Sequence, residues 1–119
     1  MLVRDILNKK GNKVFTSSPD THIGEIANTL AKENIGAIVI IEKDLVVGIL
    51  SERDIVRGFT EKKSVRSTKA KELMTKNVIT CNTKNTTEEL LELMVKKHFR
   101  HMPVVQNNKL IGVVSIGDL

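Results

Sequence analysis

Two segments of the chain carry apolar residues at helical spacing, and a pair of short apolar runs follows each segment. In the first, the apolar positions recur at intervals of three and four residues, namely Ile23, Ile26, Ala27, Leu30 and Ala31. The second repeats these intervals with Thr87, Leu90, Leu91, Met94 and Val95. This spacing predicts two amphipathic helices whose stripes belong to the core.

The runs after each helix are typical of β-strands. They cover residues 37–41 and 45–50 after the first helix, and residues 103–105 and 110–114 after the second. The short polar segments within each pair predict hairpin turns. Because the runs are almost wholly apolar, we expect both faces of each sheet to be covered.

The helix starts carry capping signals. Thr86 and Glu89 have the spacing of a capping box at the start of the second helix. At the first helix we expect Asp20 or Thr21 to cap the free amide groups.

The chain is an internal repeat with a constant offset of sixty-four residues. Residues 14–55 align with residues 78–119 without a gap. Each half begins with a short leading helix and an extended segment, which in the first half covers residues 13–16. The predicted order in each half is helix, strand, helix, strand, strand, helix. This order predicts an α/β fold of two repeats, residues 1–60 and 61–119. The second closing helix would begin at Leu119, so we expect it to be short or truncated.

The most informative segment is residues 48–54, GILSERD, which returns as residues 112–118, GVVSIGD. We call them the first and second motif. Each places a Ser at a strand end and an Asp three residues further on, in a helix start. The free amide groups there favour an anion such as phosphate, and a carboxylate suits a vicinal diol such as that of ribose.

Helix capping is the alternative interpretation of the same spacing, and it would suffice for one isolated motif. The recurrence favours binding, as does Arg53, a phosphate-compatible donor. Gly117 does so too, because glycine in a helix costs up to about 1 kcal/mol. We expect unequal sites, with the first motif better equipped, since the second has Gly117 in place of Arg53.

A second candidate segment precedes the last hairpin at residues 99–104. Pro103 at a strand start would remove a ladder donor and leave the backbone open to a ligand. His101 is either a ligand-facing residue or an ordinary loop histidine. No pair of His or Cys residues has metal-ligand spacing, so we predict no metal site.

Composition excludes several classes of protein. The longest apolar run is far shorter than the ~18 residues of a membrane helix, and we expect a cytoplasmic, soluble protein. The single cysteine, Cys81, permits no internal disulfide and is expected to be a small core or rim residue. No nucleophile–base pair or paired carboxylates indicate catalysis, so we predict neither an enzyme nor a catalytic cofactor.

The formal net charge of +5 is concentrated between residues 57 and 71. The cations of this basic run are Arg57, Lys62, Lys63, Arg66, Lys69 and Lys71. Such a run is usually a solvated linker, although it would also attract an anionic partner. Nucleic acid is disfavoured, because the chain has no Trp or Tyr on which bases would stack.

Taken together, these residues resemble the CBS domain family in its tandem arrangement, the Bateman module. The resemblance covers essentially the whole chain. Its carriers are residues 35–55, IGAIVIIEKDLVVGILSERDI, and residues 99–119, FRHMPVVQNNKLIGVVSIGDL. It implies two α/β halves related by a pseudo-twofold axis, with clefts that bind adenine-containing ligands.

The resemblance also implies the site residues and their roles. The Asp of each motif would hold ribose, the Ser would lie near ribose or phosphate, and the segments before the strands would line the adenine pocket. The implied nucleotide-binding residues are Thr16, Gly36, Ala37, Ile38, Ser51, Arg53, Asp54, Thr80, Arg100, His101, Met102, Pro103, Ser115 and Asp118.

The leading hypothesis is therefore a non-catalytic sensor of AMP, ADP or ATP, with NADH and S-adenosylmethionine as further candidate ligands. The resemblance implies a homodimer formed by packing of the repeats, and a regulated effector protein. The alternatives are a ligand-free dimerisation or scaffold module and, with less support, a nucleic-acid binder that uses the basic run.

Overall fold

The elements follow the predicted order in the first repeat and depart from it in the second. A computed structural model describes residues 1–11, 13–61 and 64–119. Its helices are α1 Val3–Lys10, α2 Ile23–Glu33, α3 Glu52–Glu61, α4 Ala70–Leu73 and α5 Thr87–Lys97. Its strands are β1 Thr16–Ser17, β2 Ala37–Glu42, β3 Leu45–Ser51, β4 His101–Gln106 and β5 Lys109–Ser115, followed by a 3₁₀ turn at Ile116–Asp118. The predicted α/β class with small sheets is confirmed.

These elements form two compact units. The Asp54 unit is Phe15–Val78, and the Asp118 unit combines Met1–Val14 with Ile79–Leu119. Each unit thus contains one hairpin and one short leading helix, together with α2 and α3 in the Asp54 unit and α5 in the Asp118 unit. The leading helix of the Asp118 unit, α1, belongs in sequence to the first repeat, and that of the Asp54 unit, α4, belongs to the second. The leading helix α1 accordingly packs with the second motif, and α4 packs with the first.

The Asp54 unit is built on a three-stranded sheet in the order β1, β2, β3. Strand β1 runs parallel to β2 and is shorter than the predicted extended segment, whereas β2 and β3 form an antiparallel hairpin. The buried core lies between this sheet and its helices. Its members are Ile23, Ile26, Leu30, Ile38, Ile40, Leu50, Val65, Ala70 and Leu73.

Both predicted hairpins are confirmed, and each has a two-residue turn. The turn residues have positive φ angles, 53° and 64° at Lys43 and Asp44, and 53° and 63° at Asn107 and Asn108. Two successive positive φ angles define the turn type that matches the twist of a hairpin. Asn and Asp tolerate that conformation better than most residues, which explains three of the four positions.

Among its described residues the Asp118 unit has the two-stranded sheet of β4 and β5 alone, so the predicted strand before α5 does not form. In its place Cys81 makes a single bridge to Val104. In the Asp54 unit the amide of Val39 donates to the carbonyl of Phe15 over 3.4 Å. The equivalent position is Pro103, which has no N–H and therefore cannot make this bond.

Pro103 is also the third residue of β4 rather than its first, which corrects the predicted strand start. Its carbonyl accepts a hydrogen bond from the amide of Cys81 over 3.0 Å. That carbonyl, and with it the proline nitrogen, points away from β5. The proline is therefore tolerated inside the strand, because the hairpin ladder does not use its nitrogen.

The predicted core stripe is correct for α2 except at Ala31, which is exposed, and it is partly wrong for α5. Leu90 and Met94 are each 1% exposed, but Leu91 and Val95 are 42% and 61% exposed. These two residues follow the buried ones by one position, which turns them about 100° around the helix. The apolar face of α5 is therefore wider than the surface that its own unit covers.

The capping box at α5 is confirmed, whereas the predicted cap of α2 is wrong. Thr86 Oγ1 accepts from the amide of Glu89 over 3.1 Å, and Glu89 Oε1 accepts from the amide of Thr86 over 3.0 Å. At α2 the capping position is His22, and its side chain makes no cap bond. Neither Asp20 nor Thr21 is needed.

The free amides of α2 are instead satisfied by a remote loop. The amide of Ile23 donates to the carbonyl of Thr68 over 2.8 Å, and that of Gly24 donates to the carbonyl of Arg66 over 3.0 Å. A Cβ at Gly24 would lie 2.5 Å from the Arg66 side chain. Glycine thus permits the close approach that replaces a side-chain cap.

Candidate functional site

The first motif forms a capping box at the start of α3. Ser51, the last residue of β3, donates from its amide to Asp54 Oδ2 over 2.9 Å and from its hydroxyl over 3.2 Å. The amide of Asp54 donates back to Ser51 Oγ over 3.3 Å. Asp54 is only 4% exposed. The capping interpretation therefore describes the geometry of this motif.

The other oxygen of Asp54 also has partners. Arg57, one helical turn further on, forms an ion pair with Oδ1, and Thr75 Oγ1 lies 3.4 Å from the same oxygen. The i, i+3 spacing of Asp54 and Arg57 on α3 is a sequence signal for this pair. Thr75 lies after α4, and no local pattern in the sequence connects it to the motif.

The second motif repeats the two hydrogen bonds from the Ser to the Asp carboxylate but has a different cation. The amide and hydroxyl of Ser115 donate to Asp118 Oδ2 over 2.8 Å and 3.1 Å. Lys10 Nζ, at the end of α1, donates to the same oxygen over 2.7 Å and to the carbonyl of Val113 over 2.9 Å. Lys10 lies more than a hundred residues from Asp118 in sequence, which is why sequence reasoning missed it.

These contacts set the ionisation of Asp118. Burial alone opposes the charged form, but the hydrogen bonds from Lys10 and Ser115 and the charge of Lys10 outweigh it. The pKa of Asp118 consequently lies below its ordinary value. Asp118 is thus a charged acceptor at neutral pH, as a contact to a diol requires.

The glycines that open the two motifs serve packing against the leading helices. A Cβ at Gly48 would lie 2.4 Å from Met74 Sδ, and one at Gly112 would lie 2.7 Å from Leu7 Cδ2. By contrast, a Cβ at Gly117 would have only Ser115 Oγ nearby, at 3.7 Å. Packing therefore explains the first two glycines, but it does not require glycine at position 117.

The segment before β2 lies beside the first motif. The carbonyl of Gly36 accepts from the amide of Glu52 over 3.0 Å, and Ala37 is the strand partner of Ser51. Ile38, at 1% exposed, belongs to the core. Of the three predicted residues, Gly36 and Ala37 thus share the strand end with Ser51, while the side chain of Ile38 is turned inward.

The equivalent segment lies beside the second motif. The carbonyl of Arg100 accepts from the amide of Ile116 over 2.8 Å, and His101 is the strand partner of Ser115. His101 is the half-buried first residue of β4, which corrects its interpretation as a loop histidine. Met102 is fully buried, so only its backbone is near this strand end.

Three further predicted site residues, Thr16, Thr80 and Arg53, are exposed. Thr16 lies in β1 opposite Val39, and Arg53 is in the first turn of α3. Thr80 precedes the isolated bridge at Cys81. The binding roles of these residues remain predictions.

The basic run is partly neutralised within the Asp54 unit. Lys69 and Lys71 lie 3.5 Å and 3.2 Å from Asp20 Oδ1, and the hydrogen bond from Lys71 is the main cause of a lowered pKa at Asp20. Arg57 is paired with Asp54. Lys62 and Lys63 lie outside the described residues. The described part of the run therefore presents less positive charge to a polyanion than its sequence indicates.

The prediction that Cys81 is a small core residue is confirmed. It is 6% exposed, and its Sγ lies 3.7 Å from the carbonyl of Pro103. Burial raises the pKa of this thiol to about 12, so it is not a nucleophile at neutral pH. In the part of the chain that the structure describes, no cluster of three His, Cys, Asp or Glu residues is arranged to hold a metal ion.

None of the predicted site residues lines the groove of about 350 Å³ in the Asp118 unit. Its lining residues are Arg4, Leu7, Asn8, Gly11, Thr83 and Ile111. No helix within the described ranges is long and apolar enough to span a membrane.

Comparison with known proteins gives a consistent result. The profile of the CBS domain family matches residues 3–61 and 70–119. The CBS domain-containing protein YhcV of Bacillus subtilis is 33% identical over 107 residues, which cover 90% of this chain and 76% of YhcV. Two longer relatives, from Acidianus ambivalens and Methanopyrus kandleri, are covered over 65% and 56% of their length.

Solved structures match the whole fold. The CBS-domain containing protein ATU1752 from Agrobacterium tumefaciens has a TM-score of 0.94 and 41% identity, with 99% of this chain and 95% of that chain covered. The CBS domain protein PAE2072 from Pyrobaculum aerophilum, complexed with AMP, has a TM-score of 0.88, 27% identity and coverage of 100% and 90%. The CBS domain pair of MJ0100, in complex with 5-methylthioadenosine and S-adenosyl-L-methionine, has a TM-score of 0.88, 28% identity and coverage of 99% and 91%.

Proposed function

The chain belongs to the CBS domain family as a tandem pair, and on this premise we propose that it is a regulatory module that binds adenosine-containing ligands. It acts by binding and not by catalysis. Its ligand is AMP, ADP, ATP or another adenosine compound, and ligand occupancy regulates an effector protein.

One observation carries the proposal: each unit places a Ser-x-x-Asp motif at a strand end, with the carboxylate at a helix start or 3₁₀ turn. A carboxylate accepts two hydroxyl donors, which suits the adjacent hydroxyls of ribose. The ligands found with PAE2072 and the MJ0100 pair support this choice. AMP, 5-methylthioadenosine and S-adenosylmethionine share an adenosine moiety, so the common element is adenine with its ribose.

The residues around each motif suit the adenine and phosphate groups of such a ligand. Arg100 and His101 stand at the strand end beside the second motif, and Gly36 and Ala37 stand beside the first. Backbone groups at these strand ends suit the adenine edge, while Arg53 and Arg100 suit a phosphate. The proposed contacts therefore lie within each unit, next to its own motif.

Calorimetric titration with AMP, ADP, ATP, NADH and S-adenosylmethionine tests the proposal, with GMP as the control for the base. We expect heat and a raised melting temperature with at least one adenosine compound, and no comparable response to GMP. Native mass spectrometry of the freshly purified protein would identify a retained ligand. Absence of any response to all five compounds would contradict the proposal.

A ligand-free homodimerisation module is the second candidate, and a specific observation favours it. Large apolar side chains stand exposed on two helices: Val56 and Phe59 on α3 are 66% and 71% exposed, and Leu91 and Val95 on α5 are 42% and 61% exposed. Apolar groups of this size favour contact with another protein surface. A stable dimer that is indifferent to nucleotides, found by sedimentation equilibrium, would favour this candidate.

A further inference from the structure

The two aspartates of the motifs differ in how much of their hydrogen-bonding capacity is already used. Asp54 accepts from the amide and hydroxyl of Ser51 on Oδ2, and from Arg57 and Thr75 on Oδ1. A carboxylate has about four acceptor positions, so those of Asp54 are filled. A diol that bonds to Asp54 must therefore displace Arg57 or Thr75.

The hydrogen bonds that Asp118 accepts from the described residues all reach one of its two carboxylate oxygens. The amide and hydroxyl of Ser115 and the ammonium group of Lys10 all donate to Oδ2. Among the described residues, none donates to Oδ1. The side chain of Asp118 is 24% exposed, compared with 5% for that of Asp54. Incoming hydroxyls thus find an acceptor at Asp118 without the loss of an existing bond.

Lys10 produces this one-sided arrangement. Its Nζ is fixed by two acceptors, Asp118 Oδ2 and the carbonyl of Val113, which lies on β5 two residues before Ser115. The ion pair holds the carboxylate in one orientation and keeps it charged. In the first motif Arg57 pairs with Oδ1, the oxygen that Ser51 leaves unused. Arg57 thus occupies the Asp54 oxygen that a ligand would use, whereas Lys10 leaves the corresponding oxygen of Asp118 available.

We infer that the second motif, with Asp118, binds the ribose hydroxyls of the ligand more tightly than the first motif does, and that Lys10 is the positioning residue of this site. The inference rests on the proposed function and names which of its two motifs dominates. It reverses the ranking expected from the sequence, in which Arg53 and the longer helix favoured the first motif. The reason is that a diol at Asp54 must displace a partner of a buried carboxylate, whereas a diol at Asp118 only adds donors to an oxygen that the described residues leave unused.

Amide resonances report on the two motifs separately, so the test needs no variant. The amides of Ser51 and Ser115 each donate to the carboxylate of their own motif. Titration of the 119-residue chain with AMP, followed by ¹⁵N-resolved NMR, should shift the Ser115 amide with a midpoint at least about 5-fold lower than that of Ser51. Equal midpoints, or an earlier shift of Ser51, would overturn the inference and leave the proposed function intact. If neither amide shifts and calorimetry detects no heat with any of the five adenosine compounds, the proposed function itself fails and the inference with it.

Variants then test the residues. Asp118→Asn should weaken the tighter AMP binding at least about 10-fold, and by more than Asp54→Asn does. Lys10→Met should weaken AMP binding by about 3-fold or more, and Lys10→Arg should restore the native affinity because the cation is retained. Lys9→Met, which removes the neighbouring exposed lysine of α1, is the matched control and should have no effect. Full affinity in Lys10→Met would refute the positioning role.

Discussion

At the scale of single residues, the same pair of side chains has two different environments. Ser51 and Asp54 repeat as Ser115 and Asp118, with nearly the same distances between Ser and Asp. The difference lies in the cation. Arg57 lies on the same helix as Asp54, whereas Lys10 reaches Asp118 from α1. The chemistry of each carboxylate is therefore decided by a residue outside the motif.

The Lys10–Asp118 pair predicts a specific loss of stability in acid. The pKa of Asp118 in the folded chain is lowered below its ordinary value of 3.8. A carboxyl group of this kind contributes stability that is present above the unfolded pKa and is lost as the pH falls through the folded pKa. The contribution is typical of a partly exposed ion pair, about 0.5 to 1 kcal/mol at neutral pH.

Lys10→Met should remove that contribution at pH 7 and should have a smaller effect at pH 2, because protonation of Asp118 in acid removes the charge that Lys10 attracts. Urea unfolding at the two pH values measures this, and Lys9→Met serves as the control. An equal destabilisation at both pH values would show that Lys10 acts through packing of its aliphatic stem and not through its charge.

Asp54 should be a strong contributor to stability. Asp54→Asn leaves Arg57 without its anion and places an amide group among donors, so we expect a loss of about 1 to 3 kcal/mol in the free energy of unfolding. Asp44→Asn is the matched control, because position 44 has a φ of 64°, which Asn adopts readily. Equal effects of the two substitutions in urea unfolding would contradict the capping and ion-pair role of Asp54.

At the scale of elements, the parts of the fold that depend on local pattern were predictable. The spacing of apolar residues located α2 and α5, the short polar segments located both hairpin turns, and Thr86 with Glu89 located a cap. The missing strand in the Asp118 unit follows from Pro103, a signal that is present in the sequence but was interpreted as a strand start. These features need no knowledge of distant contacts.

The parts that depend on distant segments were not predictable in this way. The amides at the start of α2 are satisfied by carbonyls of Arg66 and Thr68, more than forty residues further on. Lys10 and Thr75 reach their carboxylates from other helices or loops. Of the site, the two aspartates and their serines could be found from sequence, whereas most of their partners could not.

The cap of α5 gives a test at the scale of an element. Thr86→Ala removes the hydroxyl that accepts from the amide of Glu89, so the free energy of unfolding should fall by about 1 kcal/mol. Thr87→Ala, one residue further into the helix, should have a smaller effect because Thr87 makes no cap bond. If thermal unfolding shows the larger loss at Thr87, the assignment of the cap is wrong.

At the scale of the whole molecule, each compact unit completes its core with the leading helix of the other sequence repeat. Gly112 packs on Leu7 of α1, and Gly48 packs on Met74, which follows α4. A chain cut at the boundary between the sequence repeats would therefore separate each unit from its leading helix. Each repeat therefore supplies the leading helix on which the core of the other repeat depends.

The exposed apolar residues predict self-association of the molecule. Phe59 is 71% exposed, so Phe59→Glu should not disturb the fold of its unit but should shift a homodimer towards monomer. Thr60→Glu adds the same charge at the next position of α3 and should leave the dimer intact. Sedimentation equilibrium of the three proteins decides this. A monomeric native chain, or identical behaviour of both variants, would rule out a contact at Phe59.

The central claim is that a motif carboxylate holds the ribose diol of an adenosine ligand. Its most direct test is calorimetric titration of the chain with AMP and with 2′,3′-dideoxy-AMP, which differ only in the two hydroxyls. We predict that AMP binds at least about 10-fold more tightly, because each lost charge-assisted bond weakens binding by roughly this factor. Equal affinity for the two compounds would contradict the account.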